Sequence, residues 1–242
     1  MAAHSELLRR FRDFSGREGR ISFAPGRVNL IGEHTDYTAG FVLPASLAMG
    51  TYAVAAPHDD ATVRVFSEER DELASFPLDI EPAQARGQWS DYVAGVAWAL
   101  QRSGRRLRGA DLLISSEVPI GSGVSSSAAL EVSAAHALLA AAGLEMPPLE
   151  IAQACQSAEN QFVGARCGIM DQFIATHGRR DHAVLLDCGS LAWRAVPLPA
   201  THRWIVANTM VRHALARGGY NIRRTECEEI VSLALRRLPH RA

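Results

Sequence analysis

Three short stretches concentrate the residues that could do chemistry. The first is Pro119-Ile120-Gly121-Ser122-Gly123-Val124-Ser125-Ser126-Ser127-Ala128-Ala129. Its two glycines let a backbone approach a ligand closely, and three hydroxyls then open an Ala/Leu-rich run. Unpaired N–H groups at a helix start, with the helix dipole behind them, attract anions such as phosphate. Serine hydroxyls there can cap the helix or ligate Mg2+. The stretch fits a phosphate loop, and it also fits a plain strand–turn–helix junction with serine caps. The second stretch, Ala24 to Tyr37, packs Arg27, Asn29, Glu33, His34 and Asp36 between glycines. Such a density of donors and acceptors suits a polyhydroxyl ligand, because each sugar hydroxyl both donates and accepts. Leaving one such group unpaired in a buried site costs about 1–3 kcal/mol, which gives specificity. A solvated loop rich in turn residues is the alternative. The third stretch, Cys167 to Phe173, sets Asp171 between apolar neighbours, as a helix-capping or salt-bridged acid or as a catalytic one. Glu159 lies twelve residues earlier, at the edge of an apolar helix stripe. It gains interest only where a cation needs a second oxygen ligand opposite the serines.

The elements that must carry these residues are legible in outline. Leu7, Leu8, Phe11 and Phe14 share one face of a helix over 5–14. Residues 21–31 read as an extended segment broken at Pro25-Gly26. Residues 50–56 and 61–66 read as strands around the turn Pro57-His58-Asp59-Asp60. A helix follows over 91–102, then a strand over 110–118 that Pro119 ends, then a helix to about Ala142. A second helix runs from Leu149 to Val163 with Ile151, Ala154, Cys155, Ala158 and Phe162 on its buried face. Gly164 and Gly168 bracket a turn before a short helix around Asp171. Residues 183–187 and 194–198 form a hairpin around Gly189, 203–209 one more strand, and 220–237 a polar helix. The layout is mixed α/β without regular βαβ alternation.

Composition narrows the chemistry. The 242 residues carry a formal net charge of −1, which gives no electrostatic footprint of a nucleic-acid or anionic-membrane binder. All 25 basic residues are arginine, so a Schiff-base lysine and a P-loop ending in Lys-Ser/Thr are both excluded. Cys155, Cys167, Cys188 and Cys227 form no CxxC pair, which argues against a zinc site or a disulfide framework and for reduced thiols. No signal-peptide run opens the chain and no stretch reaches membrane-spanning length. A cytoplasmic location is the expectation.

Taken together, the three stretches resemble the galactokinase branch of the superfamily named for galacto-, homoserine-, mevalonate- and phosphomevalonate kinases. Residues 24–43 are similar to the galactokinase signature, 119–129 to the glycine- and serine-rich ATP motif, and 167–173 to the segment bearing the catalytic aspartate. Residues 208–228, with His213, Tyr220, Arg223, Arg224 and Cys227, resemble the sugar-side segment. The resemblance implies an α/β fold of the α+β type with mixed sheets in two domains. Residues 1–185 would form the sugar- and ATP-binding domain, resembling ribosomal protein S5 domain 2, and 186–242 the start of an incomplete C-terminal domain. It implies ATP-dependent phosphorylation of D-galactose at its C1 hydroxyl. Asp171 matches the proton acceptor and Arg27 the arginine that stabilises the transition state. Glu33, His34, Thr35, Asp36, Gly168 and Tyr220 match sugar-binding positions. Gly121, Ser122, Gly123, Val124, Ser125, Ser126 and Ser127 match the phosphate loop, and Ser67 a nucleotide contact. Ser127 and Glu159 match the Mg2+ ligands. The implied partners are the sugar and ATP, with no nucleic acid or membrane, and the full-length family is monomeric.

The sequence departs from the family in one respect. No second glycine-rich motif follows, and the chain stops at Ala242, one helix after Tyr220. A shortened second domain would expose apolar surface and invite aggregation or a partner. Two other readings follow from this: a non-catalytic galactose- and ATP-binding sensor, and an inactive fragment. Within the kinase reading, an amino sugar or another aldose is the alternative substrate. The intact serine loop, with Arg27 and Asp171 also present, favours catalysis over the sensor.

Overall fold

The computed structural model describes residues 2–202, 204–209 and 216–237. Its frame is an eight-stranded sheet. The strands are β1 (Arg20–Asn29), β2 (Phe41–Val42), β3 (Pro44–His58), β4 (Thr62–Ser67), β5 (Glu72–Pro77), β6 (Gly109–Ser116), β7 (His182–Asp187) and β8 (Trp193–Pro197). The main path runs β2-β7-β3-β6-β4-β5, with β1 on β3 and β8 on β7. Only β4 and β6 pair in parallel; the other ladders are antiparallel. β6 therefore lies between β3 and β4; the expected turn is shorter than 57–60, since Pro57 and His58 still pair with β6, and it joins strands that do not pair with each other.

β3 is longer than the alternation over 50–56 predicts. Its first residues, Pro44 to Ser46, are held by β1 across a register shift at Pro25/Arg27. That shift is the physical form of the predicted Pro25-Gly26 break: the strand continues and the pairing slips.

The helices are α1 (Ala2–Ser15), α2 (Ser90–Arg102), α3 (Ser126–Ala142), α4 (Pro148–Ser157), α5 (Met170–His177) and α6 (Ala216–Arg237). α1 seals one sheet face, seating Leu7 and Phe11 on Val54, Ala56 and Leu113. α2, α3 and α4 cover the other face in the main core, with α3 lying over β1 and β3. α3 has no polar side because it is buried all round, and its small Ala residues permit close approach. The expected helix over 149–163 is helical throughout, but its second half, Ala158–Val163, is a π-helical turn closed by Gly164 at φ +85°. All five predicted stripe residues are buried.

The expected strand over 203–209 is corrected in part. Residues 204–209 are irregular, and residue 203 lies outside the described residues. Trp204, Ile205 and Val206 have strand-like composition, yet they are exposed and join no ladder. A strand needs a neighbour for its backbone groups, and composition does not supply one.

Candidate functional site

Arg27 on β1 and Asp171 in the first turn of α5 meet across the top of α3. Arg27 Nε donates to Asp171 Oδ1 at 2.7 Å and Nη2 to Oδ2 at 2.7 Å. This bidentate fork fixes both side chains more tightly than a lysine could. Arg27 Nη1 donates to the Gly123 carbonyl at 2.5 Å, and its backbone N–H to the Val124 carbonyl at 3.1 Å. The serine loop is thereby tied to β1 from both sides. Burial works against the Arg27 charge, but Asp171, with Glu33 and Asp36 behind it, outweighs this and raises the Arg27 pKa.

Ser125 occupies the N-cap position of α3, but its hydroxyl does not cap the helix. It donates to Asp171 Oδ2 instead. Its backbone sits at φ +59°, in the left-handed region, which costs a non-glycine residue roughly 1–2 kcal/mol. Gly121 and Gly123 take φ of +75° and +78° at no such cost. Ser122 braces the turn by donating to the Pro119 carbonyl at 2.7 Å, and Val124 is buried against Val118 and Ala129. With no side-chain cap, the first N–H groups of α3 face the loop, as an anion site requires.

The segment after β1 is shaped by its own side chains. Asn29 Nδ2 donates to Glu33 Oε1 at 2.9 Å, and His34 Nδ1 lies 2.8 Å from the Tyr37 hydroxyl. His34 is left-handed too, at φ +61°. The Thr35 hydroxyl lies 2.7 Å from both the Gly32 and Phe41 carbonyls, so it braces the loop. Gly168 has no room for a side chain, because a Cβ there would collide with the Asp36 carboxylate.

These pieces enclose a cavity of about 460 Å³. Arg27, Glu33, His34 and Asp36 line one part of it, and Gly121, Gly123, Ser125, Ser126 and Ser127 another, with Asp171 and Glu159 between them. Thr35, Ser122, Val124 and Gly168 shape it without lining it. An adjoining cavity of about 730 Å³ holds Ser67 with Trp89 and shares Tyr92, Ile120, Ser126 and Ser127 with the first. His213 and the side chain of Tyr220 lie outside the described residues. Of the sugar-side segment, Arg224 Nη1 donates to the carbonyls of Arg166 and Cys167 at 2.9 and 3.3 Å. Asn221 binds the same turn through the Arg166 N–H at 3.0 Å. α6 is thus latched to the turn that delivers Cys167 and Gly168.

Beside Asp171 lies a buried acidic pair. Glu159 comes from the π-helical turn and Glu131 from α3. Burial, and then the Asp171 charge, push the Glu159 carboxyl up to about 7, against hydrogen bonds from Cys167, Ser127 and Gln172. Burial, and then Glu159, push Glu131 well above the ordinary carboxylate range. Among the described residues no group of three or more His, Cys, Asp and Glu side chains is arranged to hold a metal by itself.

Sequence reasoning missed Trp89, Tyr92, Glu131, Gln172 and Asn221. Glu131 left a signal, as the only acidic or basic residue among those of α3 apart from His136. Gln172 and Asn221 left none, because their partners are remote in the chain.

Comparison with known proteins gives this geometry a lineage. Residues 91–179 match the N-terminal domain of the GHMP kinases, and residues 9–57 match the galactose-binding signature of galactokinases. The galactokinase of Chloroflexus aurantiacus is 48% identical over 230 residues, 95% of this chain and 59% of that protein. That of Chloroflexus aggregans is 48% identical over 222 residues, 92% of this chain and 57% of its own length. The crystal structure of Lactococcus lactis galactokinase complexed with galactose superposes with a TM-score of 0.83 at 33% identity, covering 99% of this chain and 62% of that one. The mixed sheet and the serine loop over α3 are those of a GHMP kinase domain. Within that class the chain is similar to galactokinases over nearly its whole length, and it spans about three fifths of the length of the curated relatives it matches. Among the described residues no helix is long and apolar enough to cross a membrane.

Proposed function

We propose that this chain builds the sugar and nucleotide sites of an ATP-dependent kinase that phosphorylates D-galactose at its C1 hydroxyl. The observation that carries the reading is the convergence of Arg27, Ser125 and Asp171 where the signature segment meets the serine loop. Phosphoryl transfer depends on positioning and charge neutralisation more than on covalent chemistry by the protein, and a lysine-free chain has the parts for that.

The smaller cavity takes the sugar. Glu33, His34 and Asp36 offer it acceptors and donors, Thr35 and Gly168 hold that wall in shape, and Tyr220 belongs with them by its place in the sequence. The larger cavity takes the nucleotide, with Ser67 and Trp89 beside the base and ribose. Gly121, Ser122, Gly123, Val124, Ser125, Ser126 and Ser127 form the cradle whose backbone N–H groups meet the phosphates. The C1 oxygen attacks the γ-phosphorus, the bond to the β-phosphate oxygen breaks, and the sugar's proton passes to Asp171. Arg27 keeps Asp171 oriented and offers its charge to the phosphoryl oxygens as they move.

The residues present also fit Mg2+. Ser127 and Glu159 are hard oxygen donors that line the same cavity, and the Glu159 carboxyl is pushed up by burial and by the Asp171 charge. Mg2+ is commonly held by one or two such side chains together with substrate phosphates, so a full protein cage is not required. Bound there, it would supply neutralisation of the phosphate charge.

The test is ADP release by the purified chain with Mg-ATP, with and without galactose, beside equilibrium galactose binding. Turnover that Asp171→Asn abolishes, with galactose binding kept, is the expected result. Galactose binding with no turnover would replace this reading with a sensor. Loss of binding in Asp171→Asn would make the aspartate structural.

A further inference from the structure

Gln172 sits next to Asp171 in the chain, points away from the cleft cavity, and is fully buried. Its carboxamide nitrogen lies 2.9 Å from Glu131 Oε2 and 2.6 Å from Glu159 Oε2. The nitrogen has two N–H groups, and two carboxyl oxygens receive them. Turning the carboxamide over would withdraw both donations and set its oxygen against two carboxyl groups, each acceptor-only when ionised. Glu131 is also fully buried. It follows Ser127 by four residues on α3, which places both on one face of that helix. Glu159 lines the same cavity as Ser127, and the Cys167 thiol lies 3.5 Å from Glu159 Oε2. One carboxamide thus joins α3, the π-helical turn and α5, the three elements that carry Ser127, Glu159 and Asp171.

A packing role alone is a poor account of this trio. Glu131 Oε1 and Gln172 Oε1 are buried without a hydrogen-bond partner, and apolar side chains of similar size would fill the space with no such deficit. What apolar residues could not do is hold the Glu159 carboxylate from behind. We infer that Gln172, anchored on Glu131, is the positioning residue that aims Glu159 at Ser127 and so sets the affinity of the cation site. The inference rests on the proposed assignment of Ser127 and Glu159 as the Mg2+ ligands. Outer partners that orient a metal ligand typically change metal affinity by 10–100-fold when removed.

The experiment is a Mn2+ titration of the full chain, followed by electron paramagnetic resonance in the presence of a non-hydrolysable ATP analogue. Thermal melting without metal and galactose binding are recorded alongside. Gln172→Met keeps the length and removes both donors. Glu131→Leu removes the anchor and leaves a well-filled apolar site, so it keeps the question open should Gln172→Met fold poorly. Both variants are expected to weaken Mn2+ binding about 10-fold or more. Galactose affinity should hold, and Glu131→Gln, which still offers an acceptor to Gln172, should restore Mn2+ binding. Wild-type Mn2+ affinity in Gln172→Met and Glu131→Leu, with Glu159→Gln weakened, would overturn the positioning role alone. Mn2+ affinity that Glu159→Gln does not change would overturn the cation-site assignment, and this inference with it.

Discussion

Among the described residues, two Arg–Asp forks of nearly the same geometry serve different ends. On the α1 side of the sheet, Arg64 grips Asp111 through Nε at 2.6 Å and Nη2 at 2.9 Å. Arg17 adds a contact at 3.4 Å and His58 one at 3.9 Å, and Asp111 is fully buried. On the helix side, Arg27 grips Asp171 at 2.7 Å twice, and Asp171 opens onto a cavity. The ion pair by itself does not mark a reactive site. The space beside it does, together with a third donor brought in on a strained backbone, here Ser125. A surrounded aspartate is a staple; one facing an empty volume has a remaining edge to offer.

The largest expected effect comes from removing the charge at the open fork. Asp171→Asn should lower kcat by about 1,000-fold, the scale of general-base catalysis, while the melting temperature moves little. At the closed fork the outcome should invert. Asp111→Asn is expected to destabilise the fold by ~2 kcal/mol in urea unfolding, below the figure for a fully buried pair because Arg64 is half exposed, and to leave kcat untouched. A loss of turnover without destabilisation in Asp111→Asn would erase the distinction between the two forks.

Ser125→Gly sharpens the comparison from the other side. The glycine relieves the left-handed backbone and deletes one donor to Asp171. Stability should hold or rise by about 1 kcal/mol, and kcat should fall about 10-fold. Unchanged kcat would leave Ser125 as a turn residue only.

The smallest effect is a slope with pH. Glu131 has its folded pKa raised above the ordinary 4.5. Below that value it is protonated in both states and nothing is lost. As pH climbs past it, the unfolded chain gains by ionising while the folded one does not, so stability falls through the window up to the raised folded value. Glu131→Gln should flatten that fall in unfolding free energy as pH rises above the ordinary carboxylate range.

What could be read from the sequence divides along chain distance. The serine loop, the signature segment and Asp171 are local patterns, each a run of residues whose types declare a backbone shape or a cluster of donors. The helices were legible because burial writes a period into them, as the stripe from Ile151 to Phe162 does. Partnerships were not legible. Arg27 and Asp171 are 144 residues apart, and nothing near either one names the other. The galactokinase resemblance supplied both residues but not the fork between them, nor the use of Ser125 on Asp171 in place of a helix cap. Gln172 was in view as a letter of the third stretch, and only the packing of three helical elements shows what it joins. The strand expected over 203–209 failed for the same reason in reverse, since apolar residues announce a strand but not its neighbour.

The donors around Asp171 set a limit that is arithmetical. An ionised carboxylate has about four lone-pair directions to give. Among the described residues, Arg27 Nε, Arg27 Nη2 and Ser125 Oγ take three of them. One seat is open. A sugar presents a ring of hydroxyls of similar size, and a base with several vacancies could address more than one. In the proposed reading, a single vacancy makes regiochemistry a matter of occupancy: the hydroxyl that takes the last seat is the one that reacts.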